Sequence, residues 1–189
     1  MKSLLLTALC VASIASLRAG NINIISCVPE KSVEVTLSLG DVSQSFRLEC
    51  GQSSGRFVLE EKSVTIRASI WGDDTSTKEF KGEAGLLLIY NSAEGLAVKL
   101  VESEPTQETF SLRVLNLDAK TVDFVSSGVA VSLAPGKPMA LECGEHPTFR
   151  LDFEGQEKAD RFEVEEPAAV LAIVIGDGGK WHVLWVVDA

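Results

Sequence analysis

The sequence predicts an all-β fold made of two similar β-sandwiches in tandem. Apolar and polar residues alternate along many short runs, which is the pattern of strands with one buried face. Turn-forming residues interrupt the chain about every 10 residues, and apolar residues nowhere recur at helical spacing over three turns. Short segments of the first half return in the same order in the second half, which indicates two copies of one folding unit. Together these observations favour two immunoglobulin-like antiparallel sandwiches.

The duplication rests on three pairs of segments. They are residues 31–35 and 120–124, the Leu-Glu-Cys-Gly segments at 48–51 and 141–144, and residues 85–101 and 169–185. The last pair aligns without a gap, and the second pair places Cys50 and Cys143 at matching positions. We therefore assign residues 20–104 to the first unit and residues 105–189 to the second. One merged sandwich with a shared core is the alternative architecture.

The first 19 residues have the features of a secretory signal peptide. Lys2 supplies a basic start, an apolar stretch follows at residues 4–14, and small residues precede Gly20. This stretch is too short to span a bilayer, and no other stretch is long enough. We therefore expect cleavage of residues 1–19, export to the periplasm or the cell exterior, and no membrane span in the mature protein.

The composition is acidic and the units are small. Asp and Glu number 27 against 17 Lys and Arg, which gives a formal net charge of −10. Such a surface favours solubility and lacks the clustered cations that a nucleic acid backbone requires, so we expect no nucleic acid partner. A unit of about 80 residues buries little of its surface when it folds alone. We therefore expect the two units to pack against each other.

The strands of the first unit follow from alternation with a period of two. Apolar residues occupy positions 33, 35, 37 and 39, and again 64, 66, 68 and 70, with polar residues between most of them. In the run that ends at Cys50, Phe46 and Leu48 share a face with the cysteine. This register predicts that Cys50 points inward and that Gly51 ends the strand.

The second unit repeats this pattern and ends in the most apolar part of the chain. Apolar residues at 149, 151 and 153 alternate with charged ones. Residues 170–175 include no polar side chain, as expected of a central strand that is covered on both faces. In the strand that follows, residues 181, 183, 185 and 187 share one face, and residues 182, 184 and 186 share the other.

Three cysteines remain after removal of the signal peptide, an odd number for an oxidising compartment. Cys27 lies on the opening strand and Cys50 at the end of an inward face, so one expectation is a disulfide between them. That bond would stabilise the first unit by about 2–4 kcal/mol. The alternative is that all three cysteines act as small buried apolar side chains.

No set of residues suited to catalysis converges in the sequence. The only histidines are His146 and His182. His146 follows Cys143 closely, but zinc needs at least three ligands, and no serine stands in a Gly-x-Ser-x-Gly motif. We therefore expect a protein that is not an enzyme and holds no metal or cofactor.

The tryptophans are the candidate contact residues. Trp71 is out of phase with the inward residues of the strand before it, so we expect it to point outward. Tryptophans that face solvent stack on sugar rings or anchor a protein partner. Trp181 and Trp185 are further candidates for such contacts, although we expect them first of all to fill the seam between the two units.

Part of the second unit resembles a recurring bacterial envelope pattern. The residues that carry it are Arg-Val-Leu-Asn at 113–116, Thr-Val-Asp-Phe at 121–124, Gly128, and Leu-Ala-Pro-Gly at 133–136. They are similar to the opening of small secreted β-sandwich domains of unknown function and to the accessory protein of alginate O-acetylation. The resemblance implies an exported sandwich without catalytic residues of its own, and it carries over no role in alginate modification.

These observations predict an exported, non-catalytic tandem β-sandwich protein. We expect it to act as an interaction or accessory module, in the envelope or outside the cell, with a protein as its partner. The alternative is a glycan-binding module that contacts polysaccharide through Trp71, with Trp181 or Trp185.

Overall fold

The computed structural model describes residues 20–39, 41–59, 63–70, 74–81, 85–102, 109–143 and 148–188. The predicted signal peptide and the boundary at residue 104 lie outside these ranges. Within them the chain forms sixteen β-strands and no helix, and hence no helix that could cross a membrane. The first eight strands are β1 (Gly20–Ser26), β2 (Val33–Leu39), β3 (Val42–Leu48), β4 (Ser53–Leu59), β5 (Ser63–Ile70), β6 (Asp74–Lys81), β7 (Gly85–Ser92) and β8 (Gly95–Val101). The second eight are β9 (Ser111–Asn116), β10 (Val122–Ser126), β11 (Val129–Leu133), β12 (Pro138–Leu141), β13 (Thr148–Phe153), β14 (Asp160–Glu163), β15 (Ala169–Asp177) and β16 (Lys180–Asp188).

Each half is a sandwich of two four-stranded sheets with the same strand order. The first unit has an inner sheet, β4-β1-β7-β8, and an outer sheet, β3-β2-β5-β6. The second unit has an inner sheet, β12-β9-β15-β16, and an outer sheet, β11-β10-β13-β14. The second unit repeats the first strand for strand, which confirms the predicted all-β tandem fold. Pairing is antiparallel except between β1 and β7 and between β9 and β15, which are parallel.

Each unit has its own apolar core, and a third core joins the units. The first core includes Val35 and Leu87, and the second includes Phe124 and Ala172. The third core contains ten buried residues, five from each inner sheet and the residues that follow it: Ile25, Cys27, Leu86, Leu88 and Val101, and Leu115, Leu117, Leu171, Ile173 and Ile175. The two units therefore pack against each other as separate sandwiches, and a single merged sandwich is excluded.

The inner sheets are buried on both faces because they lie in the middle of the stack. Along β15, Ala172 and Val174 face the core of their own unit, whereas Ile173 faces the other unit. All residues from 169 to 175 are buried. The prediction of a central strand without polar side chains is confirmed, since such a strand has no solvated face.

The Leu-Glu-Cys-Gly repeat does not mark equivalent positions. Leu48 is the last residue of β3, whereas Leu141 is the last residue of β12, which corresponds to β4. Cys50 and Cys143 therefore lie at unrelated places, and the prediction that they match is wrong. An apolar residue at a strand end and a glycine soon after it are common to many strands, so this short identity was fortuitous.

The alignment of the last hairpins is shifted by one residue from the alignment that the sequence suggested. Ser92 pairs with Gly95 across the first turn, and Asp177 pairs with Lys180 across the second. Ser92 therefore corresponds to Asp177 and not to Gly176. A shift of one residue exchanges the two faces of a strand, so burial, which a comparison of letters does not include, fixes this register.

Asn116 ties together the turn between β9 and β10. Its side chain is fully buried, and its Nδ2 donates hydrogen bonds to the carbonyl oxygens of Lys120 at 2.7 Å and Leu133 at 3.1 Å. Its Oδ1 accepts a hydrogen bond from the backbone N–H of Asp118 at 2.8 Å. Ser26, the last residue of β1, takes the corresponding place in the first unit. Its buried Oγ has no hydrogen-bond partner among the described residues.

We predict opposite outcomes for alanine at these two places. Asn116→Ala should lower the free energy of unfolding by about 2–3 kcal/mol, because it leaves buried backbone groups without partners. Ser26→Ala, the matched control, should change it by less than about 0.5 kcal/mol, because no hydrogen bond is lost. Urea unfolding of both variants measures the difference, and equal losses would contradict this account of the turn.

We also predict that the two units unfold together. Leu88 is fully buried in the core that joins them, so Leu88→Ala should lower the free energy of unfolding by about 2–5 kcal/mol. Val58→Ala, at a side chain that is 59% exposed, should cost less than about 0.5 kcal/mol. Both variants should retain one cooperative transition by circular dichroism and by tryptophan fluorescence. A separate early transition for one unit would contradict the prediction.

Candidate binding site

A cavity of about 670 Å³ opens at one side of the second sandwich. It lies between the two sheets, where β11 is the edge strand of the outer sheet and β12 is the edge strand of the inner sheet. Four apolar side chains form much of its wall, namely Leu112, Val131, Leu141 and Phe149. Its volume and its apolar lining are typical of a pocket for a small ligand or for part of a larger one.

At two positions, the wall of this cavity has shorter side chains than the first unit has at the corresponding positions. The third residue of β2 pairs with Phe46, and the third residue of β10 pairs with Val131. The residue four positions before the end of β1 pairs with Phe57, and the residue four positions before the end of β9 pairs with Leu141. Val131 and Leu141 therefore take the places of Phe46 and Phe57.

In the first unit, the two phenylalanines bridge the edges of the two sheets. Phe46 on β3 and Phe57 on β4 stack with their ring centroids 5.7 Å apart and their planes at 24°. Both rings pack against the core of the first unit. The shorter side chains of Val131 and Leu141 do not span the corresponding gap, and both line the cavity.

The aromatic side chains of the second unit are concentrated away from this open edge. Trp185 on β16 stacks on Phe162 with the ring centroids 5.4 Å apart and the planes at 8°, and Trp181 lies 6.3 Å from Phe153. Phe149 stands between the two regions, because it lines the cavity and also stacks on Trp185 at 6.5 Å. The back wall of the cavity is thus aromatic and backed by a ring cluster.

This placement corrects one expectation about the tryptophans. Trp181 and Trp185 pack in the core of the second unit and do not fill the seam between the units. Leu184 and Val186, on the opposite face of β16, pack there instead. The split of β16 into two faces was predicted correctly, but the faces were assigned to the wrong neighbours. Trp71 lies outside the described residues, and the contact role of all three tryptophans stays a prediction.

Apolar side chains and strand edges border the mouth of the cavity. Val129 on β11 is 63% exposed, and Met139 on β12 is 37% exposed. Because β11 and β12 end their sheets, their outward backbone groups face no further strand of the described chain. The charged residues of the lining are Glu142 and Arg150. An open strand edge beside an apolar cavity is suited to bind an extended apolar segment.

Of the residues considered for catalysis, Cys143 lines this cavity and His182 does not. His146 lies outside the described residues. His182 is exposed on β16 near Asp160. Burial raises the pKa of the Asp160 carboxyl above its ordinary value, and nearby His182 partly offsets this rise. Among the described residues, no group of three or more His, Cys, Asp or Glu side chains could hold a metal ion.

The three cysteines lie in different environments, and all are free thiols in the structure. Cys27 is fully buried between the units, and this burial, together with nearby Cys50, raises the pKa of its thiol above the ordinary value. Cys50 is exposed, so the prediction that it points inward is wrong. It lies close to Cys27 because the N–H of Gly51 donates to the carbonyl oxygen of Ser26 at 2.8 Å. The disulfide between Cys27 and Cys50 stays a prediction. Cys143 is half-buried in the cavity wall.

A second, more polar cavity of about 450 Å³ lies between the two units at one end of the inner sheets. Lys31 and Tyr90 line it from the first unit, and Asp118 and Asp177 line it from the second. The Asp118 carboxylate already accepts a hydrogen bond from the backbone N–H of Lys120 at 2.8 Å. Since this carboxylate is engaged in a local turn, the apolar cavity of the second unit is the stronger candidate for a binding site.

No protein-family model matches this chain, and no curated protein matches its sequence. The site is therefore interpreted from its own geometry.

We predict a fixed order of thiol reactivity in the reduced protein. Iodoacetamide at about pH 8 should alkylate exposed Cys50 first and half-buried Cys143 more slowly. It should reach Cys27 only after unfolding, because that thiol is buried and its pKa is raised. Peptide mass spectrometry reads the order. Early labelling of Cys27 in the folded protein would contradict it, and a peptide that links Cys27 to Cys50 before reduction would establish the predicted disulfide.

Proposed function

We propose that this protein is an exported, non-catalytic interaction module of the envelope or cell exterior. We further propose that it binds a protein partner at the open edge of its second sandwich. The observation that carries the proposal is the mostly apolar cavity between β11 and β12, which are edge strands among the described residues. The signal-peptide features of residues 1–19 support the exported location.

The edge strands favour a protein over a small molecule as the partner. An unpaired strand edge offers a row of backbone donors and acceptors to another extended chain. Val129 on β11 lines the cavity, and Met139 lies on β12 two residues before Leu141, so each edge strand has an exposed apolar side chain. Neither side chain carries a charge that would oppose strand pairing. A small ligand inside the cavity would leave both edges and these two side chains without a role.

The chemistry at the cavity supports binding over catalysis. Among the described residues, its lining contains one carboxylate, Glu142, and one guanidinium, Arg150. The guanidinium Nε donates a hydrogen bond to Asp152 Oδ2 at 2.9 Å, so that charge is already paired. A general base would have to lie within hydrogen-bond reach of a substrate, and no histidine is among the described lining residues. The thiol in the lining, Cys143, has a pKa that burial raises above its ordinary value, which makes it a poorer nucleophile.

The test is a comparison of edge variants in crosslinking capture from the native envelope. The variant Val129→Lys/Met139→Lys should lose the captured partner, because charges on an edge strand prevent pairing. The control Val42→Lys changes a 71% exposed valine on β3 of the first unit and should retain it. Mass spectrometry identifies the captured proteins. The same set from all three forms of the protein would refute the proposed function.

A further inference from the structure

The first unit shows what this architecture places at the position of the cavity. In both units this side is formed by the edge strands of the two sheets, β3 and β4 in the first unit and β11 and β12 in the second, and the strand order is the same. In the first unit, the stacked rings of Phe46 and Phe57 occupy the space between them. The second unit keeps the strand order but carries Val131 and Leu141 at these two positions, and both line the open cavity.

We propose that the cavity receives one aromatic side chain from an extended segment of the protein partner, in the place that Phe46 and Phe57 fill in the first unit. This inference deepens the proposed function and rests on it. The partner is thus defined by its chemistry: an extended segment, apolar near the mouth, with an uncharged ring directed into the sandwich.

The wall of the cavity matches a ring better than a charged or strongly polar group. Leu112, Val131 and Leu141 offer aliphatic surface, and Phe149 offers an aromatic one. Aromatic rings gain from offset or edge-to-face contact with another ring at centroid distances of about 4.5–7 Å. A charge without a partner is costly beside these apolar side chains.

The geometry of the mouth explains why the ring would come from an extended chain. Side chains of a strand alternate between its two faces, so a segment that pairs with β11 or β12 directs every second side chain towards the sandwich. Its backbone would meet the unpaired edge, and its other side chains would stay in solvent. Val129 and Met139 would flank the segment on the two sides of the mouth.

Toluene, which is an aromatic ring with no peptide backbone, tests whether the cavity binds a ring. Because Cys143 lies in the cavity wall, its rate of alkylation reports whether the cavity is occupied. Toluene should slow iodoacetamide alkylation of Cys143 in a saturable manner, with one ring bound per chain by ligand-observed NMR. Leu141→Phe/Val131→Phe, which restores the ring pair of the first unit, should abolish toluene binding. Phe46→Val/Phe57→Leu, which gives the first unit the side chains of the second, should raise the ratio to two rings per chain.

The variant Phe46→Val/Phe57→Leu keeps the test decisive if Leu141→Phe/Val131→Phe fails to fold. Unsaturable toluene binding, no protection of Cys143, or a ratio that stays at one in Phe46→Val/Phe57→Leu would each overturn the aromatic site. Decanoate is the comparison for an acyl chain. Protection of Cys143 by decanoate at concentrations about tenfold below those needed for toluene would overturn the choice of a ring as well.

The source of the ring is tested with two short peptides. The acetylated amide Thr-Val-Phe-Val-Thr should protect Cys143 at concentrations about tenfold below those of Thr-Val-Ala-Val-Thr. Equal protection, or none by the Phe peptide, would overturn the assignment to an extended segment. Protection by toluene with capture that is indifferent to the edge variants would refute the proposed function alone. Edge-dependent capture without toluene binding would refute the aromatic site alone.

Discussion

The fold depends on the apolar contact between the two inner sheets. Each inner sheet presents one apolar face to its own outer sheet and a second apolar face to the other unit, and neither face is tolerated in water. A unit of about 80 residues that exposed such a face would be only marginally stable. Contact between the units therefore buries the apolar surface that each unit is too small to bury alone. The partners are close to symmetric: Leu88 of β7 has its counterpart in Ile173 of β15, and both are fully buried in the joint core. The joint core therefore limits which faces can diverge, and it leaves the distant strand edges free to do so.

The sequence predicts the class of fold well because alternation reports burial directly. Residues 170–175 identify a doubly covered strand from composition alone, and the structure buries all of them. The register between strands is predicted less well, since it depends on which residues face each other across a turn. The Leu-Glu-Cys-Gly identity and the gapless hairpin alignment are both clear in the sequence, but the structure does not place the residues that they pair at equivalent positions. The duplication was nevertheless inferred correctly, because the 31–35 and 120–124 pair begins β2 and β10 in the same phase.

The cavity could not be predicted in the same way, because it is defined by residues from five strands in two sheets. Phe46 and Val131 become comparable only when the hairpins are aligned through their partners on β2 and β10. Counting along the chain from the 31–35 and 120–124 pair does not find this match, because the β10–β11 hairpin is shorter than the β2–β3 hairpin and the position of Phe46 falls on Pro135. The sequence predicts contact residues at the tryptophans instead, because large aromatic side chains are typical of contact surfaces. Trp181 and Trp185 serve the core of the second unit, because Phe162, Phe149 and Phe153 provide ring partners there.

The two units show how one architecture can be closed in one copy and open in the other without loss of the core. The first unit places its rings at the edge, where Phe46 meets Phe57. The second unit places its rings in the sandwich interior and towards β14 and β16, where Trp185 meets Phe162. Aromatic bulk has thus been redistributed across the sandwich, so the second unit has a well-packed interior even though one edge is open. An open edge beside an aromatic wall differs from a defect in packing, because Phe149 in that wall is packed against Trp185 behind it. This combination of a stable interior with an unfilled edge is what a preformed binding site requires.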